Sequence, residues 1–554
     1  MLKPEGFRGV FRRDLDARGV YSEAAGIMRV MPVAVAVPED ADDVAVLVKW
    51  ASRDGVALIP RGSGSGMAGG AVGPGVIVDL GRLNFINEVD VARRRVHVGA
   101  GAIRDHVDAA ARTHGLRFPV DPSSGAFCTI GGMIATNAAG ARSLKFGSMR
   151  RWVTALDCVF DDGARATIRR GEPPPPVAAI TRFFEQARLS IMSDEGVKSI
   201  AHEGVSKDSS GYRIAEYARS GDLVDLLVNS EGTLAIFTGA ELALVPVAAA
   251  TGSLLASFPG LEGAVQGAIG ARQAGATACE LIDRTFLEVA AAEGGNTGVA
   301  LGTEAALLVE VEGEDRDEVT AAIRVLERVC MRAGASAVQV AMTPKLEHDL
   351  WALRHAASPI LNRLDPALKS MQFIEDGAVP IARLGEYVQG VRDALAGHGV
   401  RGVIFGHASD GHVHVNPLID VSIPHWRDRI AELLEEITDL TVSLGGTVSG
   451  EHGDGRLRTP LLSRVWRWPA APMFLAVKRA FDPRGIFNPG VKIPLTSQTS
   501  LGDIKYDPEL KPLSLLARAG LDIVERDRAY ATPRLDLLVT RRVSPAGGVR
   551  PPTL

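Results

Sequence analysis

The chain predicts an α+β fold, and three observations carry that prediction. Two glycine-rich stretches, residues 60–70 and 121–140, lie among short apolar strand patterns in the first half. Near Pro246-Val247 the texture changes to strand and helix patterns in alternation. The helices there carry one apolar stripe each, which calls for a cap with an antiparallel sheet. The chain has 554 residues, so two or more domains with cores of their own are expected.

Taken in order, residues 1–28 read as a lead-in. Val33 to Val37 reads as a strand stopped by Pro38. Residues 40–53 read as a helix with acids in its first turn and Val44, Leu47 and Val48 on one face. Val56 to Ile59 and Val76 to Leu80 are buried strands on either side of the first glycine stretch. A strand at 94–99 and a helix at 103–114, ended by Gly115, follow. Asp161-Asp162-Gly163 joins strands at 153–160 and 165–168 as a hairpin. The prolines at 173–176 mark an extended surface loop. Ser230-Glu231-Gly232-Thr233 is a turn entering a strand.

Beyond residue 253 come a strand (254–258), a helix (261–275), a strand (307–311), a helix (315–331) and a strand (335–342). Val319, Ile323, Leu326 and Cys330 share one face of the second helix. Pro380 opens another helix, and residues 426–444 form the next, closed by Gly445-Gly446. The boundaries expected are a first domain at 29–247, a cap at 248–470, a closing segment at 471–495 and a partly ordered tail at 496–554, helical around 513–531.

Composition narrows the function. Hydrophobic residues at 46% and charged ones at 23% fit a globular protein. A net charge of -5 argues against a nucleic-acid surface. The four cysteines, at 128, 158, 279 and 330, form no Cys-x-x-Cys pair, so zinc ribbons and iron–sulfur clusters lack ligands. A reducing, cytoplasmic setting is the expectation, with peripheral membrane attachment left open and no transmembrane segment.

The first glycine stretch holds Pro60, Arg61, Gly62, Ser63, Gly64, Ser65, Gly66, Met67 and Ala68. Glycine lets backbone N–H groups turn inward and close on a ligand, and concave arrays of N–H bind anions. No Gly-Lys-Ser/Thr ends the stretch and a strand follows it, so it is neither a P-loop nor a dinucleotide fingerprint of the Rossmann type. The second stretch, Asp121 to Gly140, is small, turn-rich and apolar, and suits backbone packed against a large flat ligand.

In this order, the pair resembles the FAD-binding domain of the vanillyl-alcohol oxidase superfamily, the two-part PCMH-type fold. The resemblance implies that the first loop holds the FAD pyrophosphate. It implies that Asp121, Pro122, Ser124, Thr129, Gly131, Gly132, Ala135, Thr136 and Asn137 lie along the flavin. Glu231, Gly232 and Ile236 match the superfamily's Glu-Gly-Thr-Leu-Gly-Ile segment, and Asn488 lies where relatives return to the flavin domain. No histidine stands in the first loop, so the FAD is expected to be non-covalent.

A second constellation carries the chemistry. His407, His412 and His414 fall within eight positions, and Glu451-His452 follows inside a glycine-rich turn. On a strand, His412 and His414 share one face. Two imidazoles and a carboxylate are a common divalent-metal set that leaves positions open for substrate. These residues resemble the Gly-His-x-Gly-Asp-Gly-Asn-Leu-His and Gly-Glu-His-Gly marks of the FAD-linked D-2-hydroxy-acid dehydrogenases. By that resemblance His407, His414 and Glu451 are metal ligands, with zinc the first expectation, and His452 takes the substrate's hydroxyl proton. Arg354 falls on the clamp for the substrate carboxylate, and Lys369 is a weaker candidate. Ser409 and His412 depart from the family pattern, which usually has Gly and Asn there.

The expected reaction is oxidation of a D-2-hydroxy acid, D-lactate first, with D-2-hydroxyglutarate or glycolate as alternatives. A non-catalytic flavin subunit of an oxidase complex is the alternative from another class. Electrons are expected to leave to a separate acceptor, a quinone, a cytochrome or an iron–sulfur protein. A homodimer is left open.

Overall fold

The structure is a computed structural model that describes residues 2–192, 201–292, 299–355, 367–466 and 470–538. Its first sheet runs Val10–Arg12, Ala34–Val37, Val76–Asp79, Leu58–Arg61 in space, the last three strands parallel. Parallel strands are covered on both faces, which is why these read as unbroken apolar runs. Helix Ala41–Asp54 covers one face. Asp40 caps it by accepting from the N–H groups of Asp42 and Asp43, and Gly55 ends it in the left-handed region. Its Val44, Leu47, Val48 and Ala51 pack on Leu58, Val76 and Val78.

The opposite face is covered by segments from both ends of the described chain. Val35, Val37, Ile59 and Ile77 are covered by Val20 and Tyr21 and by Ala517 and Leu521. The latter two lie on helix Leu515–Asp527, capped by Ser514, which packs on helix Leu15–Val20. Residues 513–538 therefore form a third layer on the sheet, and the helix expected around 513–531 runs from Leu515 to Asp527; 539–554 lie outside the described residues. The apolar face of a short helix gave no sign of its partner, a sheet hundreds of residues earlier.

A second, antiparallel sheet has the order Arg95–Gly99, Ile236–Ala243, Val153–Val159, Arg165–Arg169, with the hairpin as expected. The cap sheet is larger and antiparallel throughout. Its order is Ala337–Ala341, Ala250–Phe258, Ala305–Gly313, Ala278–Asp283, Arg401–His407, His412–Asp420, Leu368–Ser370. Helices Leu261–Gln273, Arg316–Arg332, Leu384–Gly397 and Trp426–Ser443 bury their stripes on one face. Pro380 itself precedes a short 3₁₀ turn, and the α-helix begins at Leu384.

Strands Ala278–Asp283 and Arg401–His407 were not singled out in the sequence. They are the two central strands, and they bring Glu280 and His407 opposite one another. After helix Ala470–Phe481 the chain returns to the first sheet, where Leu58 N–H donates to Ile486 O (2.8 Å) and Asn488 N–H to Leu58 O (2.9 Å). Among the described residues no helix is long and apolar enough to cross a membrane.

Candidate active site

A cavity of about 1490 Å³ runs from the first glycine loop to the cap histidines. Its floor is Pro60, Gly62, Ser63, Gly64, Ser65, Gly66, Met67 and Ala68. Asp121, Pro122, Ser124, Thr129, Gly132, Ala135, Thr136 and Glu231 line it too. The two stretches meet where Gly62 packs on Thr129: a Cβ at Gly62 would lie 2.1 Å from Thr129 Oγ1. The space exceeds an ordinary ligand cleft of roughly 300–1,000 Å³ and suits a dinucleotide with a small substrate.

Six expected cofactor residues do not line this cavity. Arg61 is buried beneath the loop and donates to the carbonyls of Tyr21, Glu23 and Ala71. Gly131 packs on Ala100. Asn137 caps a helix and its Oδ1 accepts from Arg150 N–H. Gly232 sits against Pro60, and Ile236 is core. Asn488 donates to Gly70 O (3.0 Å) and Glu231 O (2.9 Å). These positions hold the walls; a run of small residues does not reveal which of them faces the ligand.

At the cap end, ligand atoms of His407, His412, His414 and Glu451 all lie within 4.8 Å of one another, and all four residues are buried. Glu451 Oε1 stands 3.1 Å from His407 Nε2, 3.3 Å from His414 Nε2 and 4.0 Å from His412 Nδ1. Four ligands about 2.1 Å from a common metal stand about 3.4 Å apart, so the spacing fits a cation. The other nitrogen of each ring is tied to an oxygen. His407 Nδ1 meets Glu280 Oε1 (2.5 Å), His412 Nε2 meets Asp376 Oδ1 (2.9 Å), and His414 Nδ1 meets the carbonyl of Glu375 (3.1 Å). Such outer partners fix tautomer and ring orientation in metal-binding histidines. His412 Nδ1, fully buried, has no hydrogen-bond partner.

The strand register and the bends explain the convergence. His407 and His412 are paired across the hairpin Arg401–His407/His412–Asp420, and Gly411 turns it at φ 67°. Gly450 lies so close that a Cβ there would meet the His412 ring at 2.6 Å, and Gly453 takes φ 80°. That lets Glu451 and His452 reach one site from adjacent positions.

His452 leans on a carboxylate pair. Its Nδ1 lies 2.7 Å from Glu375 Oε2, and its N–H donates to Asp376 Oδ2 (2.9 Å). Its ring stacks on that of His414, centroids 5.2 Å apart. Arg458 pairs with Glu375 and with Asp376. Burial pulls the His452 imidazole down, but Glu375 and Asp376 outweigh it and push it up to about 10. A proton acceptor must start neutral, and the protein's own charges favour the protonated imidazole instead. The buried carboxylates Glu280, Glu375, Asp376 and Glu451 outnumber the cations Lys207, Arg354 and Arg458 paired with them. Positive charge placed among the neighbouring histidines acts in the opposite direction, toward a neutral His452.

Lys207, Glu280, Asp376 and Arg458 were missed as site residues. Lys207 Nζ reaches Glu451 Oε2 (2.8 Å). The available signal was charge inside apolar runs: Cys279-Glu280-Leu281-Ile282-Asp283 and Phe373-Ile374-Glu375-Asp376. Arg354, on helix Pro344–His355, lines the cavity, bonds Glu280 Oε2 through Nε (2.7 Å) and lies 4.5 Å over the Phe405 ring. Lys369 also lines the cavity, its Nζ 5.9 Å from the Tyr506 ring centroid.

Comparison with known proteins joins these two ends of the cavity. The model described as "FAD binding domain" matches residues 32–169, and "FAD linked oxidases, C-terminal domain" matches 248–491. The chain is 31% identical over 479 residues to glycolate oxidase subunit GlcD of Bacillus subtilis (strain 168), covering 85% of this chain and 92% of that one. This chain belongs to the FAD-linked D-2-hydroxy-acid dehydrogenase family. It is also 31% identical over 456 residues to a D-lactate dehydrogenase of Archaeoglobus fulgidus, covering 82% of this chain and 89% of that one. With a D-2-hydroxyglutarate dehydrogenase of Pseudomonas putida it shares 28% identity over 537 residues, 90% of this chain but 52% of the other. In structure it is similar to 4-ethylphenol oxidase from Gulosibacter chungangensis, at TM-score 0.65 and 14% identity over 88% of this chain and 94% of that one. That likeness shows the fold alone, a PCMH-type α+β architecture. The chain is an FAD-linked oxidoreductase of the D-lactate, glycolate and D-2-hydroxyglutarate group.

Proposed function

We propose that this enzyme oxidises a D-2-hydroxy acid, D-lactate in the first instance, to its 2-oxo acid and passes the electrons to an acceptor other than NAD. The observation that carries the reading is the set of His407, His412, His414 and Glu451, each imidazole held by an outer oxygen, at the end of a cavity floored by the FAD loop. FAD, when bound, supplies the two-electron acceptor. His407, His414 and Glu451 would hold a divalent cation, zinc by ligand type, which would supply Lewis acidity there, and His412 lies close enough to join the set.

The chain's own residues do the rest. Arg354 offers a planar fork to the substrate carboxylate, held in place by Glu280 and Phe405. His452, with Nδ1 on Glu375, keeps Nε2 for the hydroxyl proton. Glu231 accepts from the N–H groups of Asp454 (2.7 Å) and Gly455 (2.9 Å), tying the cofactor wall to the loop that carries Glu451 and His452. Lys369, in the same cavity, favours D-2-hydroxyglutarate as the second reading, since it could meet a distal carboxylate. Initial rates with an artificial acceptor, across D- and L-lactate, glycolate and D-2-hydroxyglutarate, separate these readings. Equal rates with both lactate enantiomers would contradict the proposal.

A further inference from the structure

The segment after residue 500 lies outside both family matches, which end at residue 491, yet it packs directly on the FAD loop. Arg534 donates from Nη2 to the carbonyl of Ser63 (3.2 Å) and is only 3% exposed. Among the described residues its Nε and Nη1 have no hydrogen-bond partner. Arg61, 1% exposed, lies under the same loop: a Cβ at Gly64 would stand 2.3 Å from its Nη2. Its hydrogen bonds go to backbone carbonyls, and its Nε has none. The nearby carboxylate, Asp79, is engaged by the Tyr21 hydroxyl and by Gly81 N–H.

Buried charge is costly unless it is compensated. Here two guanidiniums, drawn from opposite ends of the chain, sit behind a glycine loop whose other side is open to the cavity. Burial and the neighbouring Arg61 pull Arg534 down to about 10, so it stays charged at neutral pH. Asp79 gives the two guanidiniums one negative charge between them, so one positive charge of the pair is left for a group across the loop.

We propose that Arg534, acting with Arg61 through the Gly62–Gly66 loop, is a positioning residue for the dianionic diphosphate of FAD, so that the C-terminal segment is a working part of the cofactor site. The inference rests on the FAD reading. It differs from a packing role in sign. Without cofactor, Arg534 is a buried charge compensated only in part, by Asp79 and the Tyr530 ring, and it costs stability; with cofactor, its field favours the diphosphate.

The test uses the full chain stripped of flavin, with FAD affinity read by flavin fluorescence and melting temperature read on the apo-protein. Arg534→Met is expected to weaken FAD binding by about tenfold or more, on the scale of one hydrogen bond to a charged group. Its apo-protein is expected to melt at the wild-type temperature or higher. Arg534→Lys, which keeps the charge, is expected to retain most of the affinity. Wild-type FAD affinity in Arg534→Met would overturn the proposal. So would an Arg534→Met apo-protein that fails to fold or melts lower, since that is a packing role. A wild-type chain that takes up no FAD would instead overturn the cofactor reading, and this inference with it.

Discussion

Glu280→Gln is the sharpest probe of how the cap holds its histidines. Glu280 is fully buried and uses both oxygens, Oε1 on His407 Nδ1 at 2.5 Å and Oε2 on Arg354 Nε at 2.7 Å. Burial pushes its carboxyl up, but His407 and Arg354 outweigh it and hold it at about 2. Glutamine keeps the shape and has one acceptor oxygen, so it can serve one of these two donors. If it serves Arg354, the His407 ring loses the anion that makes Nε2 basic, and metal affinity falls by about 10- to 100-fold, or about 1.4–2.8 kcal/mol. If it serves His407, a nearly buried guanidinium loses its partner, at about 3–5 kcal/mol of stability. Zinc competition against a chelator reads the first branch and thermal denaturation reads the second. A variant that binds metal like the wild type and melts at the same temperature would refute the reasoning.

The remaining predictions separate the roles within the site. His414→Ala should lose metal and turnover together, whereas His452→Ala should keep metal and FAD and lose turnover by about 100-fold or more; metal analysis beside flavin reduction checks both, and wild-type flavin reduction in His452→Ala would remove it from the chemistry. Gly62→Ala should lose bound flavin, because its Cβ would stand 2.1 Å from Thr129 Oγ1, and the flavin absorbance per chain measures it. Asp208 pairs with Arg213 (2.8 Å) and His202 (3.0 Å). Burial raises the Asp208 carboxyl, but Arg213 and His202 outweigh it and hold it well below the usual carboxylate range. Its stabilisation is thus present above about pH 4 and lost as pH falls further. Burial lowers His202, but Asp208 outweighs it and raises it, so its contribution is complete below about pH 6.5 and fades as pH rises. Asp208→Asn should lower the melting temperature more at pH 6 than at pH 9, and an equal drop at both would contradict the pairing.

The fold class was legible in the sequence, and so were the residues that the cap gathers around its histidines. His407, His414, Glu451 and His452 were legible because histidines cluster between glycines, and glycine at 411, 450 and 453 is what the bends require. Glu280 and Lys207 were hidden because nothing local marks a partner 127 or 244 residues away in the chain. The cap helices were legible from their apolar stripes. The central strands were not, since Glu280 and Asp283 interrupt the apolar run of one and glycines at 402 and 406 cut the other to three apolar residues. Arg61 was placed at the ligand because it sits within the loop. The structure turns it under the loop, where Tyr21, Glu23 and Ala71 offer carbonyls.

The most direct measurement is the flavin absorbance of the holoenzyme mixed anaerobically with D-lactate or L-lactate, before and after metal is removed by chelation. The account predicts bleaching by the D-enantiomer, little by the L-enantiomer, loss of bleaching on chelation and its return with added zinc. Bleaching by D-lactate at an unchanged rate in the metal-free protein would contradict it.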